Sequence, residues 1–356
     1  MPFHTHAYAV AVTATAAALL LCVLVMAVLD STSLSRHVAS RRRARRRQSH
    51  HPRPPSSSPR ASPLPSPRRT ELRILSWNVF MRPDVVEDAQ ELRGGLIANY
   101  LAAQDADVIV LQEVFSAHAR EMVSRLRMMG WYWRSTALSG GPTHLADGGV
   151  VILSRVPASQ VSRAVFQHRV PSSSDALAAK GVVHMALRCS SATTLHVFGT
   201  HLQAGWGEKC ESVRRSQMRE VERFIARCAP RSGAAVLCGD FNAPPSSACV
   251  ASLRGFALAA GTRDDATHDP MSNYLVGCDG DGADIFERSP MFPCLRGCQR
   301  SQLDYFLVRP TPQVAVTASP SSPLRPLAPH PYPFRLGFTR QLSDHYPVVA
   351  TAVVLR

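Results

Sequence analysis

The sequence predicts a layered α/β domain preceded by two segments of different composition. Short apolar runs, typical of buried strands, recur from residue 72 onward, and amphipathic helical patterns lie between several of them. Strands that alternate with helices bury their apolar faces by forming layers. We therefore expect one α/β domain over 71–356, in which no internal repeat is visible.

The first segment, 7–29, reads AYAVAVTATAAALLLCVLVMAVL and contains no charged residue. A helix of 23 residues spans about 34 Å, which is enough to cross the hydrocarbon core of a bilayer. MPFHTH, which precedes it, lacks the Lys or Arg of a typical signal peptide. We expect a retained single-span membrane anchor, with the domain on the cytosolic side because the Arg cluster follows the span. A cleaved signal and a secreted or lumenal domain are the alternative.

The second segment, 31–70, contains eleven Arg, no Lys and no acid, and is otherwise rich in Pro and Ser. Such a composition predicts a disordered linker, with an average reach of about 35 Å as a flexible coil. The arginine run at 41–47 is expected to attract anionic phospholipid, at roughly 1 kcal/mol per residue. Removing these eleven Arg and Asp30 from the total of +14 leaves +4 on 71–356, which does not indicate a specific nucleic-acid partner.

Within the domain, eight apolar runs predict core strands. In chain order they are 72–80, 107–115, 149–154, 181–187, 193–203, 234–242, 302–309 and the run that follows Pro347. Helical periodicity predicts helices over 87–104, 116–129 and 212–229.

The nine cysteines show no regular spacing, which favours unpaired thiols in a reducing compartment. Cys294 and Cys298, with Cys278 and His268 upstream, could bind zinc, but they lack the paired CxxC spacing typical of a zinc site.

Polar groups suited to metal or phosphate follow most of the predicted strands. They are Asn78, Glu113, His201 with Gln203, Asp240 with Asn242, Asp304, and Asp344 with His345. Strand ends on one edge of a sheet converge, so these groups are candidates for a single pocket.

The chemistry of these groups is specific. Carboxylate and amide oxygens without a Cys cluster suit Mg²⁺, or Mn²⁺, better than zinc. Histidines beside carboxylates suit proton transfer, so the set predicts metal-assisted hydrolysis of a phosphoester. His345 is the candidate base, and Asp344 orients either His345 or a metal.

The motifs SWNV, LQEVF, GTHLQ, GDFNAP, LDYFLV and SDHYPV together resemble the endonuclease/exonuclease/phosphatase superfamily, in order, across 72–356. The resemblance implies a DNase I-like fold: a four-layer sandwich of two mixed β-sheets flanked by helices. This superfamily includes nucleases, inositol-polyphosphate 5-phosphatases, deadenylases and neutral sphingomyelinases.

Several stretches resemble the neutral sphingomyelinases in particular. They are DGGVVILSRVP (147–157), the THLQA block with its Cys loop and helix (200–225), the Asp175–Lys180 pair and DATHDPMSNYL (265–275). The resemblance implies an Mg²⁺-dependent phosphodiesterase that hydrolyses sphingomyelin, or a related sphingolipid, to ceramide and phosphocholine. A nuclease or phosphoinositide phosphatase of the same superfamily is the alternative, and a non-enzymatic membrane adaptor is a third hypothesis.

The resemblance also implies roles for single residues. Glu113 would be the principal Mg²⁺ ligand, with Asn78 beside it. His345 would take a proton from water for in-line attack on phosphorus, and Asp304 would hold its tautomer.

Three further residues would contact the phosphoryl oxygens: Asp240, Asn242 and His201. Asp147 would orient His201. Lys180 would touch the phosphate or pair with Asp175, for which a plain surface ion pair is the alternative.

One aromatic stretch, HPYPFRLGF (330–338), admits two interpretations. Its alternating apolar residues would share one face of a strand: Tyr332, Phe334, Leu336 and Phe338. The resemblance implies a hairpin with exposed aromatics that meet a membrane, whereas a core strand is the alternative. Trp206 raises the same question.

Overall fold

The structure is a computed structural model. The first element that it describes is an 11-residue strand, β1. The described residues are 71–83, 89–140, 144–259, 266–268, 275, 301–318, 326–334 and 337–354. The predicted anchor (7–29), the linker (31–70) and three of the four candidate zinc residues, Cys278, Cys294 and Cys298, lie outside them. Of the helices in these ranges, none combines the length and the apolar character that a bilayer span requires.

Fourteen strands and four α-helices make up the described part of the chain. The helices are α1 (Gln90–Ala103), α2 (Ala117–Met128), α3 (Glu208–Cys228) and α4 (Ala248–Ala251), with a 3₁₀ turn at Ser174–Leu177. The strands are β1 (Glu71–Met81), β2 (Val108–Val114), β3 (Trp133–Arg134), β4 (Val151–Ser154), β5 (Ala158–Val165), β6 (Gly181–Arg188), β7 (Thr194–His201), β8 (Ala234–Asp240), β9 (Ala257–Leu258), β10 (Asp304–Arg309), β11 (Val314–Ala318), β12 (Leu327–Phe334), β13 (Gly337–Gln341) and β14 (Val348–Val354). All eight predicted core strands and all three predicted helices are among them.

Two six-stranded mixed sheets form the centre of the fold. The first has the order β11-β14-β1-β2-β4-β3, and the second has the order β5-β6-β7-β8-β10-β9. Each sheet contains one parallel pair, β1 with β2 and β7 with β8, among antiparallel neighbours. The parallel pairs matter for the site because their carboxyl ends lie at one edge of each sheet.

Three apolar clusters hold the layers together. One lies between the two sheets, one lies between the first sheet and helices α1 and α2, and one lies between the second sheet and helix α3. The predicted four-layer sandwich of two mixed sheets flanked by helices is confirmed. Trp77 and Phe198 are completely buried in the outer clusters, and Val197 is completely buried in the central one.

The local sequence explains two features of these elements, the start of α2 and the close approach of β8 to β7. Ser116 caps α2, since its side chain accepts a hydrogen bond from Ala119 N at 3.1 Å. Gly239, the glycine of GDFN, has a φ of +142°, and a Cβ there would overlap Thr200 O of the adjacent strand. Glycine therefore allows β8 to approach β7 closely just before Asp240.

Strands β12 and β13 form a separate antiparallel hairpin, in which Tyr332 pairs with Thr339. Tyr332 is buried and its hydroxyl donates to Gln341 O, as the core interpretation expects. The side chains of 333–338 lie outside the described residues, so a membrane-facing role for Phe334, Leu336 and Phe338 stays a prediction. Trp206 is 43% exposed.

Candidate active site

Strand-end residues from both sheets meet at one edge of the sandwich. In the second sheet, Asp240 at the end of β8 pairs with His201 of β7 on one side and with Asp304 of β10 on the other. In the first sheet, Asn78 and Glu113 occupy the carboxyl ends of β1 and β2. The predicted convergence of these side chains is therefore present.

Asn78 links the two sheets. Its Nδ2 donates to Glu113 Oε1 at 2.9 Å and to Asp240 Oδ2 at 3.0 Å, while its Oδ1 accepts from Phe80 N at 3.0 Å. The amide nitrogen, and not the amide oxygen, thus faces Glu113. In this arrangement Asn78 bridges the two carboxylates, and its role as a metal ligand stays a prediction.

Asp304 and His345 form a buried acid–imidazole pair. The Nδ1 of His345 donates to Asp304 Oδ2 at 2.8 Å, and both side chains are almost inaccessible to solvent. Ser343 Oγ accepts from His345 N at 3.2 Å, and Trp77 Nε1 donates to His345 O at 2.9 Å, so the main chain of His345 is also fixed. The Nε2 atom of His345 is left to face the site, as a general base requires.

Neighbouring carboxylates set the charge of His345. Burial alone would lower its pKa, but Asp304, Asp240 and Asp344 outweigh burial and hold the pKa well above its usual value. Asp344 makes no hydrogen bond to this imidazole among the described contacts; its Oδ1 lies 3.3 Å from Ser343 Oγ. Both roles predicted for Asp344, toward His345 and toward a metal, stay predictions.

Asp240 organises its neighbours and does not reach into solvent. It is 1% exposed, its Oδ1 accepts from Asn242 N at 2.8 Å, and its Oδ2 lies 3.5 Å from His201 Nε2 and 3.8 Å from His345 Nε2. The predicted contact between Asp240 and phosphoryl oxygens stays a prediction. Asn242 adopts a φ of +51° and lies partly exposed beside it, where contact with a phosphoryl group is possible.

Lys180 and Asp175 form a buried pair, which corrects the surface interpretation. Lys180 Nζ lies 2.8 Å from Asp175 Oδ2, donates to Leu202 O at 2.9 Å, and lies 3.1 Å from His201 Nε2. The side chains of the lysine and the aspartate are only 6% and 16% exposed. Burial and the adjacent Lys180 lower the pKa of His201 to about 3, so this imidazole is neutral.

Gln203 joins this network on the far side of Asp175. Its Nε2 donates to Asp175 Oδ2 at 3.0 Å, and its Oε1 accepts from Val170 N at 3.0 Å. Gln203, which was predicted together with His201 at this strand end, therefore holds Asp175 in place, and Asp175 in turn holds Lys180 beside His201.

Asp147 does not orient His201, contrary to the prediction. The Nδ1 of His201 is buried without a hydrogen-bond partner in the described part of the chain, and its Nε2 faces Lys180 and Asp240. Asp147 accepts instead from Gly149 N at 3.2 Å, in the turn that leads into β4.

Glu113 provides the chemistry expected of a divalent cation site. It has a φ of +57°, an unusual conformation for a glutamate that aims its side chain off the strand end. Burial and the charge of Asp344 raise the pKa of Glu113 to about 7, and burial raises the pKa of Asp344. A buried carboxylate whose ionisation is further disfavoured by a neighbouring carboxylate fits a hard cation of the Mg²⁺ or Mn²⁺ class, which would offset both charges.

Three residues around the site were not assigned a role from the sequence. Ser343 fixes the backbone of the last motif, since its Oγ donates to Asn78 O at 2.6 Å. Thr267 hydrogen-bonds the main chain next to Asp304, and His268 lies against His345. Ser343 is the first residue of the SDH motif, and Thr267 and His268 precede the LDY motif in the sequence. No spacing rule distinguishes these three residues from ordinary loop residues.

A surface cavity of about 490 Å³ lies elsewhere, beside Arg127, Tyr132 and Trp133. Trp133 pairs with Ser154, which lies opposite Val108 at the start of β2. This cavity is therefore at the end of the first sheet away from Glu113, and is separate from the candidate active site.

Comparison with known proteins gives a consistent result. The model of the Endonuclease/Exonuclease/phosphatase family matches residues 75–345. A phospholipase C of Staphylococcus aureus is 27% identical over 232 residues, which are 58% of this chain and 68% of the relative. A sphingomyelinase C of Listeria ivanovii is 28% identical over 191 residues, 48% of this chain and 56% of the relative. An inositol phosphosphingolipids phospholipase C of Schizosaccharomyces pombe is 26% identical over 186 residues, 50% of this chain and 42% of the relative.

Solved structures share the fold. Sphingomyelinase C from Streptomyces griseocarneus aligns with a TM-score of 0.62 at 24% identity, covering 79% of this chain and 99% of that one. A Staphylococcus aureus beta toxin variant with bound magnesium ions aligns with a TM-score of 0.63 at 21% identity, covering 81% of this chain and 100% of that one. The predicted resemblance to the superfamily, and to sphingomyelinases within it, is confirmed.

Proposed function

Because the chain belongs to the endonuclease/exonuclease/phosphatase family, we propose that it is a sphingomyelinase-type hydrolase that uses a divalent cation, Mg²⁺ or Mn²⁺, to cleave a sphingolipid phosphodiester. Water would displace the ceramide oxygen from phosphorus by in-line attack, giving ceramide and, from sphingomyelin, phosphocholine. The observation that carries the proposal is the buried Asp304–His345 pair within the same pocket as Glu113.

His345 would perform the proton transfer. Its Nδ1 is occupied by Asp304, so Nε2 is the atom that accepts a proton from the attacking water. It can do so only while the imidazole is neutral, a condition that the raised pKa of His345 shifts to higher pH. Asp304 then stabilises the imidazolium that forms, in the way a buried carboxylate does beside a catalytic histidine. The same nitrogen can return the proton to the leaving alkoxide.

His201, Lys180 and Asn242 would bind the phosphoryl group. The Lys180 ammonium lies 3.1 Å from His201 Nε2 and brings a buried positive charge to this side of the pocket. Preformed donors of this kind stabilise the charge that builds on phosphoryl oxygens. When bound beside Glu113 and Asp344, the cation would supply Lewis-acid stabilisation of the same charge.

The names of the relatives support a sphingolipid substrate but do not fix its head group. Phosphocholine and inositol phosphate head groups both occur among the substrates those names imply. We favour sphingomyelin because several of the similar proteins are named sphingomyelinase C.

We also propose that residues 7–29 anchor the chain in a membrane with the domain on the cytosolic side. The arginine run at 41–47 would then hold the domain near anionic phospholipid. An anchored enzyme and a bilayer-embedded substrate share one surface, which raises their effective concentration.

The activity is tested with the full chain in detergent, assayed for phosphocholine release from sphingomyelin micelles with Mg²⁺ or Mn²⁺. Loss of a general base lowers the rate by about 100- to 10,000-fold, so His345→Ala and Asp304→Asn should both fall in that range. His168→Gln is the matched control, because His168 is an exposed histidine paired with Glu220. Cleavage of plasmid DNA or of a phosphoinositide, without turnover of any sphingolipid, would reject the proposal in favour of the alternative.

The proposed membrane anchor and the arginine run are tested separately. Replacing the six arginines of 41–47 with Gln should reduce activity on anionic vesicles more than on neutral micelles. Equal loss on both would remove the electrostatic argument. Protease protection of intact vesicles decides between a cytosolic and a lumenal domain.

A further inference from the structure

A buried arginine of α3 fixes the loop that follows β7. The Nη1 atom of Arg214 donates to Gln203 O at 3.0 Å and to Gly205 O at 2.7 Å, and the residue is only 2% exposed. Gln217, which lies about one turn further along the helix, accepts from Gln203 N at 2.8 Å through its Oε1. Helix α3 therefore holds the main chain of 203–205 from outside the pocket.

The carbonyl group just before this loop orients two side chains of the pocket. Leu202 O accepts from Lys180 Nζ at 2.9 Å and from Asn242 Nδ2 at 3.2 Å. The N–H group of Leu202 donates to Asp240 O at 3.0 Å, so this peptide segment is held on both sides. Lys180 and Asn242 are two of the three residues proposed to bind the phosphoryl group, and their positions depend on where Leu202 O lies.

Glu211 connects Arg214 to the loop that follows Asn242. Its Oε2 lies 3.2 Å from Arg214 Nη2, and its Oε1 accepts from Ser247 Oγ at 2.6 Å. Ser247 also caps α4, since its Oγ accepts from Cys249 N at 3.2 Å. One acid–base pair of α3 thus contacts the loops that leave both β7 and β8.

The contacts of Arg214 explain why an arginine is required here. Two carbonyl oxygens and one carboxylate surround its guanidinium group, and a planar fork of N–H donors can satisfy all three. A buried charge also needs a partner of opposite sign, which Glu211 provides. Lysine would supply the charge without the fork.

We propose that Arg214 is a positioning residue for binding of the phosphoryl group. Through Leu202 O, it fixes Lys180 and Asn242 relative to the substrate. It acts through these two side chains and not on the reacting atoms. The effect on turnover rests on the proposed function, whereas the effect on the order of the loop does not.

The first test compares turnover and loop order in Arg214→Met, with the full chain in detergent and Mg²⁺. The kcat on sphingomyelin micelles should fall by about 10- to 100-fold with KM unchanged, because the phosphoryl donors are displaced in the transition state. Amide hydrogen exchange of 202–206 should become faster, while exchange in β1 and β2 stays as in the wild-type chain. Arg214→Lys should recover part of both changes, and Arg215→Met, at an exposed neighbour on the same helix, is the matched control.

A double substitution tests whether Arg214 acts through Asn242. Asn242→Gly removes the side-chain amide and is compatible with the φ of +51° at this position. The combined loss of kcat in Arg214→Met with Asn242→Gly should be smaller than the product of the two single losses, because residues that act through one another are not additive. A combined loss equal to the full product would overturn the proposal.

Glu211→Gln is the second variant, and it carries the test if Arg214→Met does not fold. It should speed exchange of 202–206 and lower kcat by about 3- to 10-fold, the equivalent of one hydrogen bond. Faster exchange with a wild-type kcat, in either variant, rejects the positioning role. Faster exchange in a chain whose wild-type form turns over no sphingolipid rejects the proposed function, and the effect on turnover with it, while the contact of Arg214 with the loop stands.

Discussion

Thr267 connects the two halves of the acid–base pair, and we expect its hydroxyl to be essential for their alignment. Its Oγ1 accepts from Leu303 N at 3.0 Å and from Asp304 N at 3.2 Å. Its main-chain oxygen accepts from Tyr346 N at 2.7 Å, directly after His345. One completely buried threonine therefore fixes the backbone on both sides of the pair.

Thr267→Val keeps the shape of the side chain and removes the acceptor. Two backbone N–H groups lose their bond to Oγ1, and each buried donor without a partner costs about 1 to 3 kcal/mol. Allowing for partial relaxation, we expect the free energy of unfolding to fall by about 2 to 4 kcal/mol. A displacement of Asp304 relative to His345 should lower kcat by about 10- to 100-fold and leave KM unchanged, because Thr267 does not touch substrate.

Urea unfolding and steady-state turnover of sphingomyelin micelles measure the two effects. Thr267→Ser retains the hydroxyl and is the matched control, which should recover most of both losses. The reasoning is refuted if the valine variant keeps the wild-type kcat, or if serine is as damaging as valine. A fall in stability with unchanged kcat would show that Thr267 supports the fold without aligning the pair.

Two further perturbations concern groups buried around the second sheet. Burial and the adjacent His196 lower the pKa of His184 to about 4, below its usual value near 6.5. The stability that neutral His184 contributes should be complete above pH 6.5 and decline by about 3 kcal/mol as the pH falls to 4. Urea unfolding of the wild-type chain and of His184→Phe checks this, and parallel pH profiles would contradict it. Lys180→Met should destabilise the fold by about 3 kcal/mol because it leaves Asp175 buried without its cation. Adding Asp175→Asn should recover part of that loss, and strictly additive losses would argue against the pair.

The sequence predicted the fold best where apolar runs are long. The centre of each sheet was found because β1, β2, β7 and β8 are buried almost throughout. The edge strand β5 was missed, since its ASQVSRAV sequence is largely exposed and resembles a loop. Three prolines in β12 argue against a strand in the same way, and only an edge hairpin accommodates them.

For the site, the sequence predicted which residues meet but not which atoms face one another. Strand ends alone were enough to predict that these groups share one pocket, whereas the position of Asp240 between His201 and Asp304 is set by the strand register. The orientation of the Asn78 amide depends on Phe80 N, and the partner of Asp147 depends on the turn at Gly149. Which of two nearby groups forms a hydrogen bond depends on distances that differ by a few tenths of an ångström. The hydrophobic periodicity of a sequence does not predict such distances.

The amide of Asn78 connects the first sheet to Asp240 of the second sheet, so the activity depends on the relative position of the two sheets. Half of the machinery belongs to each layer, so neither layer retains a working fragment. A small slip of one layer over its neighbour would disconnect Glu113 from Asp240 while every strand keeps its own hydrogen bonds. Catalysis should then disappear in mild denaturant before circular dichroism registers any loss of strand, which makes turnover a sensitive gauge of how the sandwich is assembled.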